Sequence, residues 1–226
     1  MPVTDEPTGK VFLVGAGPGD PDLITVKGLR LLQQADVVIY DRLANPALLA
    51  HCRSGAETLL VGKRGGHFSI LQSDINRLLV EKARGGNRVV RLKGGDSFLF
   101  GRGGEEALHL IREGIEFEIV PGVSSALAGP ASAGIPVTHR GVASSVAFVT
   151  GHSAASDEPG VNWEKLATAA DTLVILMPLS NLRRIVSNLV LNGRSITTPA
   201  ALVESATLDS QRVVTSTLGR IERVAK

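Results

Sequence analysis

Between Lys93 and Glu106 the run KGGDSFLFGRGGEE combines side-chain-free residues with an aspartate, an arginine and a pair of glutamates. A Gly-Gly-Asp turn lets a ligand touch backbone directly, because glycine has no Cβ to hold it away. Arg102 sits between glycines just ahead of Glu105 and Glu106, which open a helical pattern. A helix N-terminus favours the two carboxylates and disfavours the guanidinium. The position of Arg102 therefore predicts a negatively charged partner or ligand. The run reads as a place where something is bound, touched by backbone on one side and by ionised side chains on another.

Further acid, base and glycine clusters follow other predicted strands. Gly15-Ala16-Gly17-Pro18-Gly19-Asp20 is a glycine turn but not a dinucleotide fingerprint, since the glycines are misplaced and Pro18 and Pro21 obstruct a continuing helix. It is either a tight turn that needs glycine or one that exposes backbone to a ligand. Asp41-Arg42 is either a solvated loop pair or part of a site. Gly62-Lys63-Arg64-Gly65-Gly66 is not a P-loop: Glu57 stands where its first glycine belongs, and Arg64 where its Ser or Thr belongs. A Lys-Arg pair between glycines still suits capture of carboxylate or phosphate. His139-Arg140 precedes another glycine, and the five histidines show no metal spacing and no HExxH. No metal is expected, and there is no GxSxG nucleophile elbow.

The elements that must position these groups alternate. Residues 11–14, 37–40, 58–61, 88–92 and 116–120 read as short apolar strands, with helical patterns over 25–35, 74–84 and 105–113 between them. Thr25 and Ser73 are the expected caps of the first two helices. After Pro121-Gly122 comes a small-residue segment, 124–135, suited to close packing. Strands are then expected at 145–150, 172–177, 199–204 and 211–215, and helices at 163–169 and 182–192. Residues 151–160 read as a loop. The alternation predicts an α/β protein of two α/β domains, 1–121 and 122–226, with mostly parallel or mixed sheets.

Composition bounds the function. Apolar residues are 43% and charged residues 20% of the 226, enough for a real core. A net charge of +2 argues against a surface built for nucleic-acid phosphates. The single cysteine, Cys52, excludes an internal disulfide or a multi-thiolate zinc site. No apolar run approaches the ~20 residues of a membrane span, so no membrane partner is expected. The N-terminus lacks the order of a signal peptide, and a cytoplasmic location is expected.

Taken in order, VGAGPGDPDLIT, YDRL, VGKRGG, INRLL, RLKGGDSFLFGRGGEE, VPGVSSA, AGIPVTHRG, FVTGH, LVESAT and QRVV resemble the tetrapyrrole methylase family over about residues 9 to 218. The THRG and GRGGEE pieces point to the members that act on uroporphyrinogen III. The resemblance implies a cleft between two α/β domains, usually in a homodimer, that binds S-adenosylmethionine and leaves S-adenosylhomocysteine. It implies cofactor contacts at Pro18, Gly94, Gly95, Asp96, Leu99, Ser124, Ser125, Met177 and Ala206. Asp41 matches the family's proton acceptor and Lys63 its proton donor, while Arg102, Glu105 and Arg140 match residues that hold or activate the tetrapyrrole. Asp41 suits proton acceptance better than any arginine, because a guanidinium stays protonated to about pH 12; Arg102 is then an anchor oriented by Glu105. Three departures stand out. Ser97 replaces the usual proline, Phe68 and Leu71 interrupt the usual run after the basic loop, and Pro178 follows Met177 where glycine is common. Other methylases, acting on precorrins, ribosomal RNA or diphthine, and a non-catalytic sensor of the cofactor are the rival readings.

Overall fold

The computed structural model describes residues 9–62, 70–152 and 160–225, which divide into two compact units, residues 1–125 and 126–226. In the first unit the strands are β1 (Lys10–Gly15), β2 (Val37–Tyr40), β3 (Glu57–Leu60), β4 (Arg88–Lys93) and β5 (Phe117–Val120). They form one sheet in the order β3-β2-β4-β1-β5, and every neighbouring pair is parallel. Helices α1 (Val26–Gln34), α2 (Gln72–Arg84) and α3 (Gly103–Arg112) connect the strands. A parallel sheet covered on both faces needs strands that are apolar throughout. The fully buried Val11, Leu13 and Val14 of β1 and Val89, Val90 and Leu92 of β4 meet that need.

Alternation along these strands divides the core in two. Val11, Leu13, Ile39 and Val89 face Ile75 and Leu79 of α2 and Ala107 and Leu110 of α3. Phe12, Val14, Val38, Val90 and Leu92 pack with Leu32 of α1 and with Leu48. The chain leaves β1 toward β2 on one side and leaves β4 toward β5 on the other. The carboxyl ends of β1 and β4 therefore flank the point where the winding reverses, where ligands of open α/β sheets collect.

The caps follow local chemistry. Thr25 caps α1, its hydroxyl accepting from the Gly28 N–H at 3.1 Å. Ser73 does not cap α2. The helix begins earlier, at Gln72, because the N–H groups of Asp74 and Ile75 already bond the Leu71 carbonyl, leaving Ser73 inside the first turn.

In the second unit α4 (Ser125–Ser132) runs through the small-residue segment, a helix the polar and glycine content had hidden. Strands β6 (Val146–Thr150) and β7 (Thr172–Leu176) pair in parallel, and β8 (Pro199–Glu204) and β9 (Arg212–Thr217) pair antiparallel. Ala167 of α5 (Trp163–Ala169), Ile185 and Leu189 of α6 (Leu182–Leu191) and Leu218 of α7 (Leu218–Val224) form its buried cluster. The Asp171 carboxylate receives the N–H and hydroxyl groups of both Ser144 and Ser145, which ties the starts of β6 and β7.

Close backbone approach limits substitution at the strand ends. A Cβ on Gly15 would lie 2.5 Å from Gly122 Cα and 2.7 Å from the Gly95 carbonyl oxygen, all main chain. Gly15→Ala is expected to cost about 2–3 kcal/mol, as overpacking against rigid backbone does. Gly104→Ala meets nothing within 4 Å, and the gain in helix propensity is worth up to about 1 kcal/mol. Thermal unfolding of the two variants checks this; equal tolerance of both would contradict it.

Candidate active site

Three turns meet beyond the strand ends of the first unit. Gly95 donates to the Gly17 carbonyl at 2.6 Å and Gly17 donates back at 3.2 Å, so the turns after β4 and β1 are stitched by backbone alone. Gly17 and Gly95 both hold left-handed φ angles, 87° and 67°, which favour glycine. Asp96 closes the third side: Oδ2 accepts from the Gly122 N–H at 2.9 Å, and Oδ1 accepts from Phe98 and Leu99 at 2.7 and 3.2 Å. Its carboxylate is a structural tie that shapes the turn. The Cβ direction of Gly95 meets only Ser124 Cα and Ser125 N, each at 3.8 Å, which leaves the backbone approachable there. Pro18, Gly94, Gly95, Asp96, Leu99, Ser124 and Ser125 thus belong to one group of strand-end turns.

Asp41 reaches the same turn from the end of β2. Its Oδ1 accepts from Leu43 at 3.1 Å, from Ala44 at 3.2 Å and from Gly94 at 3.3 Å. A Cβ on Gly94 would lie 2.4 Å from Leu43 Cβ, so only glycine lets the Asp41 loop dock. Oδ2 faces Nη2 of Arg91 at 3.6 Å.

Arg102 caps α3 with a left-handed φ of 58°. The negative partner its position predicted is Glu105, paired through Nε–Oε1 and Nη2–Oε2, both 2.7 Å. The Arg102 hydrogen bonds hold the Glu105 carboxyl below its ordinary value of 4.5. The two side chains are more than half exposed, so the pair orients more than it stabilises. Arg140, Met177 and Ala206 lie in the second unit. Arg140 is exposed in a tight loop where His139 donates to the Ala143 carbonyl. Met177 has φ 56°, and Ala206 stands between Ser205 and Thr207, with φ of 49° and 68°. Non-glycine residues in this region carry strain that surrounding contacts must hold. Gln211 supplies one, accepting from the Thr207 N–H and from the Ser132 hydroxyl, each at 2.7 Å. Lys63, with the rest of the basic loop to His67, lies outside the described residues, as does Phe68. Among the described residues no group of His, Cys, Asp and Glu has the makings of a metal site, and no helix is long and apolar enough to cross a membrane.

Sequence reasoning missed the charges beneath the site. Arg91 and Lys93 of β4 and Glu106 of α3 are at most 3% exposed. The signal was period two: Val89, Arg91 and Lys93 share a strand face, and that face is the one α2 and α3 cover.

The chain matches the model of the Tetrapyrrole (Corrin/Porphyrin) Methylases over residues 10–222. The chain belongs to the tetrapyrrole methylase family. It is 51% identical over 218 residues to the uroporphyrinogen-III C-methyltransferase of Priestia megaterium, covering 96% of this chain and 92% of that protein. It is 53% identical to the siroheme synthase of Pseudomonas entomophila, covering 96% of this chain but 47% of that longer protein. The solved structure of uroporphyrin-III C-methyltransferase from Thermus thermophilus, complexed with S-adenosylhomocysteine, superposes with a TM-score of 0.82 at 41% identity, covering 96% and 87% of the two chains.

Two departures from the methylase pattern have visible consequences. Ser97 is 1% exposed, and its hydroxyl has no hydrogen-bond partner among the described residues. Pro178, which has no N–H to offer, caps a short 3-10 turn, Leu179–Asn181, directly after the strained Met177.

Because its pKa is lowered, the charged Glu105 partner of Arg102 is complete above 4.5 and is lost as pH falls through that lowered value. Arg102→Ala is expected to return the Glu105 titration toward 4.5, read by carbon NMR of the side-chain carboxyl. An unchanged titration would contradict the assigned pair.

Proposed function

We propose that this chain transfers methyl groups from S-adenosylmethionine to two pyrrole carbons of uroporphyrinogen III, giving precorrin-2 by way of precorrin-1. The observation that carries the reading is the junction at the point where the sheet's winding reverses. An approachable Gly95 backbone, stitched to Gly17, lies beside an aspartate docked on Gly94. The family and the named relatives support the substrate and the donor.

When bound, S-adenosylmethionine supplies an electrophilic methyl group on a positively charged sulfur. The residues present fit it. Gly95 offers main chain without a Cβ, Asp96 has its carboxylate turned to the backbone and so keeps the turn rigid, and Ser124 and Ser125 border the open side. Pro18, Gly94, Gly95, Asp96, Leu99, Ser124 and Ser125, with Met177 and Ala206 from the second unit, are the residues assigned to hold it. Fixing donor and acceptor in line accounts for much of the rate of such a transfer, so rigidity of these turns is functional.

The substrate is rich in carboxylates, and planar guanidinium groups bind these in bidentate fashion. Arg102, oriented by Glu105, and Arg140 are assigned to grip it. Carbon methylation ends with loss of a proton from the macrocycle. Asp41 accepts it at Oδ2, since Oδ1 is occupied by three backbone N–H groups. Lys63 is assigned as the proton donor. The reading further places the two α/β domains, divided at residue 121, around a shared cleft in a cytoplasmic homodimer, without metal or nucleic acid. Siroheme, cobalamin or haem d1 lies downstream, siroheme having the support of the Pseudomonas relative.

The test is anaerobic incubation with S-adenosylmethionine and enzymatically generated uroporphyrinogen III, followed by mass spectrometry of the tetrapyrrole. A product that has gained two methyl groups is expected. Absence of any methylated tetrapyrrole would sink the reading.

A further inference from the structure

A buried charge cluster lies directly beneath Asp41, on the face of β4 that α2 and α3 cover. Arg91 Nε and Lys93 Nζ both reach the same oxygen of Glu106, Oε1, at 3.1 and 3.0 Å. Gln72 of α2 donates to that oxygen as well, at 3.2 Å. The other oxygen, Oε2, is buried with no hydrogen-bond partner among the described residues. Arg91 also donates through Nη1 to the carbonyls of Ile39 and Leu92 at 3.4 and 3.3 Å, and turns Nη2 toward Asp41 Oδ2 at 3.6 Å.

The charges do not balance within the buried trio. Arg91 and Lys93 bring two cations against the single carboxylate of Glu106, all at most 3% exposed. Burying an ion costs several kcal/mol unless it is paired, so an uncompensated cation here is not tolerable. The fourth charge that completes the set is Asp41. Lys93 reports the same imbalance: burial, then the neighbouring Arg91 charge, lower its pKa, while Glu106 and Asp41 raise it. Glu105, whose carboxylate also acts on this neighbourhood, is paired with Arg102. If cohesion were the only requirement, apolar residues of similar volume would serve as well or better at 91, 93 and 106.

We propose that Arg91 is a positioning residue for Asp41, with Glu106, itself held by Lys93 and Gln72, fixing the guanidinium so that Oδ2 of Asp41 is kept in place at the Gly94 turn. The inference rests on the assignment of Asp41 as proton acceptor. A guanidinium is a hydrogen-bond donor and offers no acceptor, so Arg91 is not itself the proton acceptor. It acts by fixing the orientation and charge of the oxygen that is. The backbone amides hydrogen-bond Oδ1, and the Arg91 charge faces Oδ2 at 3.6 Å, so the carboxylate is constrained from two sides.

The test is a double-mutant cycle in the methylation assay. Arg91→Met leaves Lys93 and Glu106 as a balanced pair, which favours folding of the variant. Asp41→Asn is expected to lower kcat by about a hundredfold or more, as loss of a general base does. Arg91→Met is expected to lower kcat by about tenfold or more through misplacement alone. The double variant is expected to be no slower than Asp41→Asn within about threefold, because the second loss acts through the first. The KM for S-adenosylmethionine stays within about threefold throughout, the signature of a change in the reacting step rather than in donor binding. A residue that only holds the fold together would instead give losses that multiply. Should Arg91→Met not accumulate as folded protein, Arg91→Lys, which keeps the charge, carries the same cycle. Full activity of the Arg91 variant, or losses that multiply, overturns the inference while leaving the methylation reading intact. Full activity of Asp41→Asn overturns the assignment of Asp41 and the inference with it. A wild-type chain that methylates no tetrapyrrole marks failure of the functional reading itself.

Discussion

Gly15, Gly94 and Gly122 bring chain segments together at distances that leave no room for a Cβ. A Cβ on Gly122 would lie 2.3 Å from the Gly95 carbonyl oxygen, and one on Gly94 2.4 Å from Leu43 Cβ. Four segments, ending β1, β2, β4 and β5, are thereby drawn to one place. The parallel sheet makes this possible by pointing every carboxyl end the same way, and the reversal of winding between β1 and β4 leaves room there. Asp96 then converts proximity into rigidity, with three main-chain amides on its carboxylate. Asp41 docks on this junction through the Gly94 N–H.

Beneath the junction the protein keeps ions where its neighbours are hydrocarbon. Val89 and Val90 of the same strand are fully buried among apolar residues, yet Arg91 and Lys93 continue the strand into Glu106. A strand that begins as core and ends as a charge cluster couples the rigid sheet to the acid at its mouth. The exposed Arg102–Glu105 pair lies at the other extreme. It contributes little to stability, because both side chains are more than half exposed.

How much of this the sequence discloses follows from what each signal encodes. Apolar runs such as FLV and VVI mark strands because burial on both faces leaves no other composition, and the positions of β2 and β8 agree with that reading at both ends. Helix α4 was not legible: Ser, Ala, Gly and an internal Pro130 carry neither amphipathic period nor good propensity. The antiparallel pairing of β8 with β9 is equally invisible, since strand pattern does not encode direction. Within the site, the Gly-Gly-Asp turn announced backbone exposure, but not that the Asp96 carboxylate would brace three main-chain amides. Glu106 read as a dipole partner, which hid its burial opposite two cations. Charged residues on a covered strand face can be read only once the covering helices are known.

The central claim is that the stitched Gly94–Asp96 turn holds the methyl donor. Titration of the folded chain with S-adenosylhomocysteine, followed residue by residue through backbone amide NMR, tests it directly. Saturable binding with the largest shifts at Gly94, Gly95, Asp96 and the neighbouring Ser124 and Ser125 is the predicted result. Binding that leaves those amides undisturbed would contradict the account.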